Sequence, residues 1–96
     1  DFKWSADCPK AVDKGAEFLF TVRTIGAGGS EVPNAKFRYQ ILWPEGSGNP
    51  LRYTGWSGTP EKVHARMVPG KATMVVTAEN REGLEAKVLE TTFEVK

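Results

Sequence analysis

The sequence predicts an all-β fold, with antiparallel strands laid in two stacked sheets. Three observations predict it. Apolar and polar residues alternate at period two, most plainly where Phe37, Tyr39, Ile41 and Trp43 interleave with Lys36, Arg38, Gln40 and Leu42. The ten glycines and six prolines fall between the apolar runs, so turn signals recur at short intervals. No window sustains the 3.6-residue periodicity of an amphipathic helix.

The stretch that organises the rest is residues 69–83. A Pro-Gly turn launches a β-branched run that stops at Asn80, and Gly83 closes the next turn. Its alternation sets Ala72, Met74, Val76 and Ala78 on one face and Lys71, Thr73, Val75 and Thr77 on the other. The remaining elements read as strands that need this one as a neighbour.

Residues 1–5 alternate Phe2 and Trp4 with polar residues, a short first strand. Cys8-Pro9 ends it, because proline cannot donate to a ladder and restricts the residue before it. Residues 10–15 read as a turn. Residues 16–25 form the second strand, with Phe18, Phe20 and Val22 inward and Leu19 and Ile25 on a partly wet face. Residues 26–30 are too glycine-rich for regular structure. A phosphate cradle there would need a following helix N-terminus, whereas Glu31-Val32-Pro33 follows.

Residues 35–43 are the clearest strand, and residues 44–50 are a loop. Residues 51–56 give a short edge strand, and residues 57–60 turn again. Val63, Ala65 and Met67 alternate inward against Lys62, His64 and Arg66. After the 69–80 strand, residues 81–83 turn into a last element over 84–96, which offers Ala86 and Val88, then Phe93 and Val95. Leu89 breaks that alternation and predicts a bulge near residues 89–91. The count is seven strands, or eight if the last one splits. An up-and-down barrel or OB-fold is the alternative closure.

Ninety-six residues make a single domain. For that size, folding buries roughly 64% of the chain's surface, enough for one core without staples. Thirteen basic against twelve acidic residues leave a net charge of +1, with no basic stripe for nucleic acid or an anionic membrane. No stretch approaches a membrane span, so membrane insertion is not expected. Cys8 is the only cysteine, so no intrachain disulfide forms.

The stretch from Pro69 through Asn80 to Gly83 resembles the penultimate strand and exit turn of immunoglobulin-like β-sandwiches in bacterial secreted proteins. PKD-type and fibronectin-III-type domains share the pattern. Residues 32–37 (Val-Pro-Asn-Ala-Lys-Phe) resemble the entry to their third strand, and residues 92–95 (Thr-Phe-Glu-Val) their closing strand. The chain departs from antibody-type domains in having no cysteine pair, and Ala72 stands where many relatives carry a tyrosine. The resemblance implies an Ig-like antiparallel β-sandwich of about seven strands in two sheets, spanning residues 1–96. It also implies a segment of a larger exported protein, located outside the cell, on its surface or in the periplasm.

Candidate chemistry is sparse. His64 is the only histidine and shares parity with Lys62 and Arg66, so it belongs to a solvated face rather than a triad or a zinc or copper site. Glu45, Glu61, Glu79, Glu82 and Glu85 lie near loops without the Asp-x-Asp spacing of a calcium loop or a glycosidase cleft to face across. The aromatics are more informative, because Trp43, Tyr53 and Trp56 flank one loop and could stack on a sugar. Trp43 has core parity, and Trp56 has the parity opposite to Tyr53. The strand over 51–56 could also pair with a partner strand, although proline and charge at its ends are the usual guards against that.

The expected function is a non-catalytic accessory module acting as a spacer or in docking to neighbouring domains of its parent chain, another protein or a ligand. No cofactor is expected, and the isolated domain is expected to be monomeric. The alternative is a carbohydrate-binding module that grips a polysaccharide with Trp56, Tyr53 and Trp43. No residue pair has nucleophile–base or acid–base spacing, so an enzyme is not expected.

Overall fold

The computed structural model describes residues 2–80 and 82–96. Among these, eight strands follow one another with no helix: β1 (Lys3–Asp7), β2 (Ala11–Val12), β3 (Glu17–Ile25), β4 (Lys36–Leu42), β5 (Arg52–Trp56), β6 (Glu61–His64), β7 (Gly70–Glu79) and β8 (Glu85–Val95). They form a three-stranded sheet ordered β1-β3-β6 and a five-stranded sheet ordered β2-β8-β7-β4-β5. The larger sheet curls into a half-barrel.

β7 folds as its pattern requires. Ala72, Met74 and Val76 are fully buried and Ala78 nearly so, while Lys71, Thr73, Val75 and Thr77 face away. Both of its edges are occupied, by β4 and by β8, so its β-branched run lies inside the sheet. Opposite it, β3 turns Phe18, Phe20, Val22 and Thr24 inward. The two sheets share one core: Phe20 meets Tyr39 edge-on with ring centroids 4.9 Å apart, and Phe18 meets Phe93 at 5.4 Å. Each of these large side chains contributes about 1.5–3 kcal/mol by burial, far more than any surface ion pair.

Several expectations need correction. Residues 10–15 do not simply turn. Pro9 ends the pairing of β1 with β3, and the chain crosses to the other sheet, where β2 runs parallel to β8. The Glu94 amide donates to the Lys10 carbonyl and the Lys96 amide to the Val12 carbonyl, which holds that crossing. The fold is therefore not wholly antiparallel, and β2 makes the eighth strand. β8 does not split. Its bulge falls at Val88, because Val76 pairs with Leu89 and Thr77 with Lys87. Continuous pairing along β7 on either side of that point keeps β8 in one piece. β6 stops at His64, so Met67 never reaches the core. It is 66% exposed and lies over Gly15. Ala86 is exposed as well, although the register beyond the bulge sets it opposite the buried Ala78. Asp1, placed in the first strand, and Arg81, placed in a turn, lie outside the described residues.

Two polar devices aim the loops. The buried Ser57 hydroxyl donates to the Val32 carbonyl at 2.7 Å and accepts from the Ala35 amide at 2.9 Å, which fixes the entry to β4. Arg66 stacks over Trp43 at 5.8 Å and donates to the Ser47 carbonyl at 2.7 Å, pinning the loop over 44–50.

Gly55 is the point at which β5 touches the core. A Cβ there would stand 2.6–2.8 Å from the Phe37 ring, which is itself buried and cannot retreat. Gly55→Ala is expected to destabilise the domain by about 1–3 kcal/mol, through overpacking. Thermal or urea unfolding measures it, and unchanged stability would show that the ring does not lie against β5.

Candidate functional site

A concave surface lies where the five-stranded sheet forks. β4 pairs with β7 only as far as Arg38 opposite Thr77. Beyond that point β4 stays with β5 out to Lys36 opposite Trp56, while β7 stays with β8 out to Glu79 opposite Glu85. The gap between the two prongs encloses about 300 Å³. Phe37 and Ala78 form its floor, and Phe2 and Trp4 close it from the side of β1. Trp4 is half-buried and meets Phe37 nearly at a right angle, ring centroids 6.2 Å apart. A wider hollow on the far flank of Phe2 and Trp4 is bounded by Asn80, Ala86 and Val88.

The rims carry opposite charge. Lys36 and Arg38 stand on the β4 prong, and Glu79 and Glu85 on the hairpin. Glu85 gathers cations from two strands: Arg38 at 3.6 Å, and Arg52, which reaches it from β5 across the outer sheet face. Thr77 lies between, its hydroxyl donating to Glu85 and accepting from Arg52 at 3.3 Å. Each guanidinium is about half exposed, so the cluster is a solvated network and not a buried ion pair. The hairpin is shaped by Asn80, whose side-chain oxygen accepts from the amides of Glu82 and Leu84. The cleft sets aromatic faces beside both donors and acceptors.

The three aromatics singled out in the sequence do not converge. Tyr53 is 48% exposed, has the parity of the inner face and stacks on Tyr39 at 5.4 Å. Trp56 is 46% exposed and stands on the outer face opposite Lys36. Trp43 is half-buried, its ring perpendicular to Phe93 at 5.8 Å and covered by Arg66. One sugar ring cannot stack on both faces of a strand. His64 lies 3.1 Å from Glu17, both exposed, on the surface of β3 and β6. Among the described residues no three of His, Cys, Asp and Glu gather as a metal site. Burial pushes the half-buried Cys8 thiol up, away from the reactive thiolate form.

The sequence reading missed Arg38, Arg52, Thr77 and Glu85 as a group. Nothing along the chain signals that four strands, β4, β5, β7 and β8, bring them together. Phe2 and Trp4 were legible as aromatics, but not as the wall of a cleft. Compared with protein-family models, with curated proteins and with solved structures, the chain matches none.

The buried Tyr39 phenol is pushed up to about 12, chiefly by desolvation, with Glu61 and Tyr53 adding negative charge nearby. The folded state thus holds that proton more tightly than the unfolded chain, whose tyrosine titrates near 10. Its contribution to stability is complete below pH 10 and lost as the pH rises from 10 to about 12. Urea unfolding across that window should show a steeper alkaline fall for the native sequence than for Tyr39→Phe. Equal slopes would mean that Tyr39 is solvated.

Proposed function

We propose that this chain is a non-catalytic immunoglobulin-like accessory module of an exported or surface bacterial protein, which spaces its neighbours or docks them. The strand order supports the reading. The sheet β1-β3-β6 facing β8-β7-β4-β5 parallels an A-B-E sheet facing G-F-C-C′, with β2 as a first strand that changes sheets. Export and a bacterial parent rest on the sequence resemblance.

One observation carries the spacer role. Phe2 borders the fork beside Glu79 and Glu85, at one end of β7. Lys96 is bonded to Val12 and Lys14 and follows Val95, which pairs with Gly70 at the other end of β7. The ten residues of β7 lie between them, about 33 Å at ~3.3 Å per residue. A chain continuing past both points would enter and leave at opposite ends of a body 40 Å long and 16 Å thin. Between those ends β2, which continues from β1, is bonded in parallel to the last strand, β8. The role needs rigidity and accessible ends, and no bond making.

The test is replacement within the native protein. Exchanging residues 2–96 for an unrelated rigid β-sandwich of equal span should preserve the parent protein's activity and export, whereas deletion should not. Loss on replacement, equal to loss on deletion, would rule out a pure spacer and assign the module to docking. Finding the native protein in the cytoplasm would remove the exported reading altogether.

A further inference from the structure

The four sheet edges are not guarded alike. β2 is two residues long, and β6 is four residues carrying Lys62 and His64. β1 carries Lys3 and Asp7 and runs into Pro9. Short length, charge and proline are the usual protections against edge pairing. β5 is the least guarded: five residues in unbroken register with β4, no proline inside, and a free outer edge. Its one charged residue is drawn back from the edge, because Arg52 stretches across β4 to Thr77 and Glu85. Tyr53, Thr54 and Trp56 are left exposed along it.

The geometry points to β5 as a seam between two copies of this chain, paired antiparallel about a two-fold axis at Thr54. For outer faces to meet outer faces, paired residues must share parity. That permits centring on Tyr53, Thr54 or Gly55. Centring on Tyr53 sets Trp56 against Pro50 of the partner subunit, which cannot donate to the ladder. Centring on Gly55 sets Arg52 against Gly58 of the partner subunit, whose φ of +80° is not that of a strand.

Centring on Thr54 uses all five residues. On the outer face Trp56 covers the aliphatic stem that Arg52 of the partner subunit lays over its own sheet. Thr54 meets Thr54 of the partner subunit. On the inner face Tyr53 stands opposite Gly55 of the partner subunit, where no side chain projects from the edge strand because the Phe37 ring beneath takes its place. Each unlike pair occurs twice, so the strand Arg-Tyr-Thr-Gly-Trp is self-complementary. The product is one continuous ten-stranded sheet, five strands from each copy. A monomer was the sequence expectation; complementarity about Thr54 appears only once the pairing of β4 with β5 fixes which face each residue takes.

Sedimentation equilibrium from micromolar to millimolar concentration tests it. The native chain should show a reversible monomer–dimer equilibrium. Thr54→Lys sets like charges opposite each other at the axis and should weaken association by roughly tenfold or more, with an unchanged circular dichroism spectrum. In a Cys8→Ala background, Thr54→Cys should cross-link to itself on oxidation, and Tyr53→Cys should not. A native chain monomeric throughout, or a dimer in which Tyr53→Cys cross-links in place of Thr54→Cys, overturns the proposal.

Discussion

Everything in this fold depends on β7 having both of its edges occupied while one face looks at β3. An antiparallel strand with two neighbours satisfies its backbone on both sides, so its β-branched run can be buried without stranding donors or acceptors. Ala72 and Ala78 are small, Met74 and Val76 larger, and the larger pair lies in the same interior as Phe20 and Val22. β4 and β8 are then positioned by β7 rather than by each other. Tyr39 and Phe93 follow as core residues because each belongs to a strand in register with it.

The fork in the five-stranded sheet follows from the same constraint. β4 serves β7 at one end and the entry loop held by Ser57 at the other. The strands part beyond Arg38 and Thr77, and Trp4 from the opposite sheet fills the side of the opening. The charged rim and the aromatic wall are thus consequences of how the strands separate.

Much of the core could be read from the chain because period two is a strong signal where one face is buried. Phe18, Phe20 and Val22 in β3, and Phe37, Tyr39 and Ile41 in β4, are inward as their parity required. What escaped was non-local. Two residues of parallel pairing in β2 leave no periodic trace, and the position of the bulge at Val88 depends on β7. Met67 had the right parity but lay past the end of its strand. Tyr53 and Trp56 differ in parity, which the sequence showed; that they occupy opposite faces of an exposed edge required the register with β4. The cluster on Glu85 joins strands far apart in sequence, so no spacing rule could have found it.

A fold built around β7 makes that strand the most protected one. Native-state hydrogen exchange read residue by residue measures this directly. The amides of Ala72, Met74 and Val76 should exchange only through global unfolding, well after those of β5 and β6 at the sheet edges. Exchange in β7 as fast as in those edge strands would contradict a fold built around it.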